Sequence, residues 1–533
     1  MTDLYVLRSS ENTKPRYLEF PVVERRVLSI PDSNNGDYGG KRVRFDLASV
    51  ANTGKLLNWQ SNSTCVVFPV QLVVTRALDS LNDVTASTAL ASLKNGNHCF
   101  VHGFTTTLSN MDVTTYTPFL PGKISYELAT NYDADDVKRA EKLGMYWENG
   151  EDYIFNSAVS ANGIIGCSNT QTTGARANLA RKRRCSAVAD VKNTADAHAS
   201  FYLAPADSFA EQQVDSVVST LTTQTFNINV RIEMSQLHDF FKQCPISKNG
   251  LYSLEFHINT CKMAAVISGA LGAKLYTSVA VTESSGYNPI QLGALEDDQA
   301  LPDACVAIGV ELRIQTAKTC RMEVELLTLE SSVETAYMAN PVRSFTYQEH
   351  YFSKHLITGA NKDFSFQIHN NLVRGRKLVI LPYYENLGTG PTSLSDVLSP
   401  FSSFASSTLS GVHCGLTDFN CFVSGLQVYP QNLKTKKQFY DEFDRHTLNN
   451  GVDIADSNSG SAITWKDYLT QYGAIVVDLT KHLKSQDDLS KSILISGKSA
   501  NSRDVSLLCY LYYDKYLTID CDAGNVVREP GTF

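Results

Sequence analysis

The sequence predicts a mainly β protein built from antiparallel sandwiches. Apolar residues recur with a period of two along many segments, helical patterns are few and short, and turn-rich loops separate the strand-like runs. Of the 533 residues 43% are hydrophobic and 19% charged, and Tyr and Phe number 25 and 24, a balance that suits packed structure and excludes an extended disordered chain. A prior of about 150 residues per domain gives roughly three to four domains, and because β-rich domains run larger, two remains open.

The opening MTDLYVLRSSENTKPRY carries charges and no apolar h-region, so no secretion signal is expected. The most apolar run, CVVFPVQLVV at 65–74, is too short to cross a bilayer. The clearest half-buried strand is TFNINVRIEM, in which Phe226, Ile228, Val230 and Ile232 alternate with polar residues. The same alternation marks Leu254, Phe256 and Ile258, then Val306, Ile308, Val310, Leu312 and Ile314, and after a polar break Met322, Val324 and Leu326. It returns in Phe364, Phe366 and Ile368, in Phe419, Cys421 and Val423, and in Val505, Leu507, Cys509 and Leu511.

Helices are expected at DADDVKRAEKL, with Asp133 as N-cap and a stop at Gly144, and at KKQFYDEFDRHTL, with Phe439, Tyr440 and Phe443 on one side. A third, SQLHDFF at 235–241, follows its strand directly and ends before Pro245. Between about 157 and 215 the strand pattern fades into a Ser-, Ala-, Thr- and Asn-rich stretch that reads as a long insertion. ESSVETAYMANPVRSF offers a short helical turn and then Pro341, where the chain passes from one sandwich to the next. ENLGTGPTSLSDVLSPF, LNNGVDIADSNSGS and SGKSANSRD read as surface loops, and no short tandem repeat occurs.

Signs of catalysis or ligand chemistry are weak. Gly497-Lys498-Ser499 resembles the end of a phosphate loop, but position 492 is Ser where that loop needs Gly, so a surface turn is expected. The acids Asp133, Asp135 and Asp136 fail the EF-hand pattern at Lys138 and Gly144. There is no H-E-x-x-H, G-x-S-x-G or G-x-G-x-x-G, and His238 and His257 read as structural histidines. The 12 cysteines, never spaced as C-x-x-C, read as small buried hydrophobes, with neither a disulfide frame nor zinc expected. The sequon Asn62-Ser63-Thr64 is a weak signal without a secretory context.

The net charge of -8 speaks against a surface built to coat nucleic acid. Within the insertion, Arg176, Arg181, Lys182, Arg183 and Arg184 form the one charge cluster that stands out. It is either a solvated loop or a salt-sensitive contact with nucleic acid or an acidic partner.

Several segments, taken in order, resemble one family. FNINVRIEMSQLHDFFKQCPISKNGLYSLEFHIN resembles a strand, an L-H-D-F-F-like turn and the next strand, and CRMEVELLTLESSVETAYMANPVRSFTYQEHYF resembles the passage between two jelly rolls. GRKLVILPYYENLG, SPFSS, DFNCFVSGLQVYPQN, QFYDEF, ITWKDYLTQYGAIVVDLTK and VSLLCYLYYDKYLTIDCDAGNVV follow in the order of a second jelly roll. SIPDSNNGDYGGKRVRFDLAS and STCVVFPVQLVVT resemble the opening strands. The pattern is similar to the double jelly-roll major capsid proteins of Polinton or Maverick elements, adintoviruses and virophages, related in fold to adenovirus hexon. Its coverage is good from about 220 to 525.

The resemblance implies two consecutive eight-stranded antiparallel jelly rolls, residues 1–330 with the 157–215 insertion and 346–533, joined by a linker at 331–345. It implies a homotrimeric, pseudo-hexameric capsomer tiling an icosahedral shell around a DNA genome. Partners would be further trimers, penton or minor capsid proteins and, indirectly, packaged DNA. The place would be the virion after synthesis in the host cytoplasm, with no catalytic residue, cofactor or metal. A non-viral carbohydrate-binding or lectin-like sandwich shares the alternation and the aromatic content, and would show a concave aromatic platform instead of self-assembly. An enzyme on a jelly-roll scaffold would need a convergent His and carboxylate cluster.

Overall fold

A computed structural model describes residues 22–34, 36–39, 41–76, 89–94, 96–131, 214–219, 223–268, 275–283, 286–294, 306–315, 318–359, 361–385, 401, 413–448, 463, 465–470, 472–480, 489–500 and 503–528. Its elements begin with β1 (Val22–Pro31), β2 (Arg42–Asp46), β3 (Leu56–Asn58), β4 (Cys65–Arg76), β5 (Ala89–Leu93), β6 (Val101–Leu108), β7 (Met111–Thr114) and helix α1 (Leu120–Asn131). There follow β8 (Val214–Ser219), β9 (Thr223–Glu233), the short helices α2 (Met234–Leu237) and α3 (Asp239–Gln243), and β10 (Tyr252–Ile258). β11 (Cys261–Ser268), β12 (Leu275–Glu283), β13 (Ile290–Ala294), β14 (Val306–Ile314), β15 (Arg321–Leu329) and helix α4 (Ser331–Met338) complete the first half. The second half holds β16 (Val342–Ile357), β17 (Lys362–Leu372), β18 (Gly375–Tyr384), β19 (Leu416–Val423), β20 (Leu426–Gln427) and α5 (Lys436–Leu448). It closes with α6 (Trp465–Thr470), β21 (Ile475–Asp478), β22 (Lys491–Ser499), β23 (Val505–Asp520) and β24 (Asn525–Arg528).

The pairing order is the same in both halves. If β16 to β23 are counted as one to eight, one sheet runs 1-8-3-6 (β16-β23-β18-β21) and the other 2-7-4-5 (β17-β22-β19-β20). If β1, β2, β4, β6, β7, β9, β10 and β15 are counted likewise, β1-β15-β4 with β9 on the flank of β4 gives 1-8-3-6, and β2-β10-β6-β7 gives 2-7-4-5. Strands interleaved in this way across two antiparallel sheets are two Greek keys, the jelly-roll arrangement. Each half is therefore a jelly roll. The first is enlarged: β3, β8, β11, β12 and β14 extend its larger sheet to nine strands, and β5 pairs with β13 beside it.

The cores follow the alternation. Phe226, Ile228, Val230 and Ile232 of β9, Leu254, Phe256 and Ile258 of β10, and Met322, Val324 and Leu326 of β15 all enter the first core. Phe364, Ile368, Phe419, Cys421 and Val423 enter the second. The two cores also exchange elements. Helix α1 is buried on opposite faces: Leu120, Ile124 and Leu128, at spacing four, fill the first core, while Tyr126 and Ala129 fill the second. The unbroken 16-residue ladder between β16 and β23 behaves similarly, with Tyr347, Leu517 and Ile519 in the first core and Ile357, Val505 and Leu507 in the second.

Four expectations need correction or refinement. SQLHDFF is not one helix: α2 and α3 are separated by extended His238 (φ -156, ψ 144), whose ring accepts the Phe240 N–H and so starts a new helix. Gly497, Lys498 and Ser499 lie in β22 rather than in a turn, because the segment pairs with β17 on one side and β19 on the other; at Gly497 a Cβ would stand 2.8 Å from Phe364 Cζ, so glycine leaves room for that ring on the strand. β23 is not half-buried, since Val505 to Tyr512 are buried on both faces. β16 begins at Val342, inside the stretch read as the link. The helix at KKQFYDEFDRHTL is α5. The helix expected from Asp133 and the insertion up to residue 213 lie outside the described residues.

Candidate functional site at the junction between the sandwiches

Polar chemistry in this chain concentrates where the two jelly rolls meet. β16 carries Glu349 in phase with Phe345 and Tyr347, so the pleat that buries those rings also drives a carboxylate into the interior, where it is 0% exposed. Burying a charge is tolerable only when it is fully engaged. Glu349 Oε1 accepts from His238 Nε2 at 3.0 Å and from the His350 N–H at 3.0 Å, while Oε2 accepts from the Thr115 N–H at 3.1 Å and lies 3.5 Å from Lys515 Nζ. Burial pushes this carboxyl up, but His238, Lys515 and the His350 N–H outweigh it and hold the group below the usual carboxylate range.

Further bonds tie the same elements. Asp239 Oδ2 accepts the Gln348 N–H at 2.8 Å, Tyr347 Oη donates to Val113 O at 2.5 Å, and Tyr510 Oη donates to Phe119 O at 2.8 Å. From α1, buried Lys123 donates to Leu237 O at 3.2 Å and pairs with Glu127 at 3.2 Å. Lys377 of β18 rests over the rings of Tyr512 at 4.8 Å and Tyr126 at 5.3 Å. The His350 ring packs edge-on against Tyr512 and His238, and its Nδ1 is buried with no hydrogen-bond partner.

His238, Glu349 and His350 bring ligand atoms within 4.8 Å of one another, a spacing that a small cation spans. The hydrogen bonds decide against one. The Phe240 N–H points at His238 Nδ1 from 3.0 Å, so that nitrogen holds the lone pair and Nε2 carries the proton given to Glu349. A metal on Nε2 requires the proton on Nδ1, facing a donor. Lys123, Lys377 and Lys515 close by disfavour a further cation.

Of the histidines singled out by sequence, His238 is thus a structural anchor, and His257 lies half-buried in β10, 3.3 Å from Glu255 and against Tyr116. The structure does not bring the two together. Arg176, Arg181, Lys182, Arg183 and Arg184 lie outside the described residues. The nine described cysteines are free and buried, and burial pushes the Cys65, Cys320 and Cys421 thiols up to about 12, so they act as packing groups. Glu349, His350, Lys123, Glu127, Lys377 and Lys515 went unrecognised in the sequence. The available signal was a carboxylate in the apolar phase of a strand.

The surface offers a second feature. β1 and β16 each end the order of their sheet. Val23 to Val27 are exposed, Val23 at 68%, and β16 exposes Val342, Tyr351 and Leu356. Among the described residues no helix is long and apolar enough to cross a membrane.

Comparison with solved structures agrees with the topology. A chain from the cryo-EM structure of the Sputnik virophage matches with a TM-score of 0.52 at 10% identity, over 98% of this chain and 91% of that chain. The mavirus major capsid protein matches with a TM-score of 0.45 at 10% identity, over 97% and 93%. The Faustovirus major capsid protein gives 0.42 at 8% identity, over 96% and 94%. No family model and no curated protein matches the sequence. The chain has the double jelly-roll fold found in virophages.

Proposed function

We propose that this chain is the major capsid protein of a virus or virus-like mobile element: a structural subunit that trimerises into pseudo-hexameric capsomers and tiles an icosahedral shell. The chain divides within residues 331–345, at α4 and ahead of β16, into its two jelly rolls. The observation that supports this reading best is the repetition of one eight-strand order in both halves, fused through shared cores and a buried junction into a single block. Two upright sandwiches per chain give three chains six similar faces, so a trimer fills a hexagonal position in a lattice. The exposed valines on edge strand β1 and the apolar residues on β16 suit contacts between copies, because open sheet edges and apolar patches are surfaces that monomers normally suppress.

The role is mechanical, with no catalytic step, and the place of action is the virion. Penton or minor capsid proteins would meet the trimers at lattice edges, and packaged DNA would be contacted at most indirectly. Mass photometry and negative-stain microscopy of the purified chain test this. Particles of three times 58.7 kDa with a hexagonal outline are expected. Monomers at concentrations above about 10 μM would overturn the proposal, since an obligate interface of more than about 2,000 Å² should hold there.

A further inference from the structure

We propose that His350 is an acid-sensitive latch between the two sandwiches: as a neutral ring it closes the junction, and on gaining a proton it opens it. The latch is a property of the single chain and stands independently of the assembly reading.

The ring is 1% exposed and enclosed by both halves of the molecule. The groups around it are Lys123 and Glu127 from α1, His238 from the bend before α3, Lys242 from α3, Glu349 from its own strand, Lys377 from β18 and Tyr512 from β23; one contact further out lie Tyr126 against Lys377, Asp239 on the Gln348 N–H and Lys515 beside Glu349. The cations are four lysines, and each carboxylate already has a partner through at least one oxygen. Glu127 Oε2 pairs with Lys123, Asp239 accepts the Gln348 N–H, and Glu349 has three hydrogen-bond donors and the Lys515 ion pair. The carboxylate oxygens closest to the ring, Glu127 Oε1 at 3.9 Å from Nε2 and Glu349 Oε1 at 3.9 Å from Nδ1, are too far to hydrogen-bond. An imidazolium would therefore sit among lysines with no carboxylate in hydrogen-bonding reach as the junction stands. Burial first, then the ammonium groups of Lys123, Lys377 and Lys242, hold the ring well below the ordinary histidine value.

The sign follows. In an opened junction the ring titrates near 6.5, while in the closed junction it stays neutral. Stability from the closed form is complete above about pH 6.5 and falls as pH drops, by up to tenfold in the closing equilibrium per pH unit. The elements whose docking would loosen are those around the ring: α1, α3 and the middle of β16.

The test is amide hydrogen exchange on the full chain from about pH 7.5 to about pH 5, which spans the histidine range, comparing the natural protein with His350→Phe and His350→Gln. Comparison at each pH cancels the intrinsic pH dependence of exchange. Exchange in α1, α3 and residues 345–350 should rise by roughly tenfold more per pH unit in the natural protein than in either variant. Equal pH dependence in all three proteins would overturn the latch. Should both variants fail to fold, exchange of the His350 C2 proton in the natural chain decides alone: an ordinary midpoint near 6.5 overturns the proposal, and a strongly lowered one supports it.

Discussion

At the residue scale the junction rests on one carboxylate. Glu349→Gln keeps the shape but turns an ion-paired acceptor of three hydrogen bonds into a neutral amide, leaving Lys515 without its charge partner and an NH2 facing other donors. Removing one member of such a buried set costs about 3–5 kcal/mol, so urea unfolding should show a loss of that order, and a loss under about 1 kcal/mol would contradict the assigned role. Gly524 is a second single-residue constraint. It has φ +68, and a Cβ there would stand 2.3 Å from the backbone of Asn249 and Gly250, where the turn after β23 is bonded to the first sandwich through Lys248 N–H to Cys521 O. Gly425 has φ +83 with nothing within 4 Å. Gly524→Ala should therefore lose more than about 2 kcal/mol while Gly425→Ala loses about 1, since only the first adds a backbone collision to the left-handed strain.

At the element scale, what was legible depended on whether one face of an element meets water. α5 was readable to its ends because Phe439 and Phe443 are buried while Lys437 and Asp441 pair in solvent. β9, β10 and β15 were readable for the same reason. α1 was not, because Leu120, Ile124 and Leu128 serve one core and Tyr126 and Ala129 the other, which removes the polar face that announces a surface helix; only Pro121 in the first turn marks its start. β23 was misread as half-buried because its second face is covered by elements distant in sequence. The junction was illegible for a related reason, since its members come from five separated segments. Ile124→Ala should thus destabilise the whole chain by about 2–4 kcal/mol, read as a shift in the urea midpoint. Lys437→Ala on exposed α5 should change it by less than about 1 kcal/mol.

At the scale of the molecule, shared elements and buried histidines set the response to acid, and in the proposed assembly open edges would set the response to other copies. Burial lowers His102 to about 4 and His413 to about 3, and His350 lies well below 6.5, so each is neutral when folded and takes up a proton when unfolded. Folded values below the unfolded one mean stability complete above about pH 6.5 and lost as pH falls, by up to about 1.4 kcal/mol per pH unit for each ring until its folded value is reached. Unfolding followed by tyrosine fluorescence should show a stability loss between about pH 6.5 and about pH 4 that high salt does not abolish, because the groups are buried. The edges behave differently. Val23 and Val27 lie on the terminal strand of the larger sheet with their side chains in solvent, so charging them leaves the fold within about 0.5 kcal/mol. Between copies the same charges would be buried without partners. If the chain forms the proposed trimer, Val23→Glu combined with Val27→Glu should accordingly keep the unfolding midpoint of the natural chain and yet shift its mass distribution from trimer to monomer. If the trimer persists, β1 is not where the copies meet, and the apolar residues of β16 are the next edge to charge.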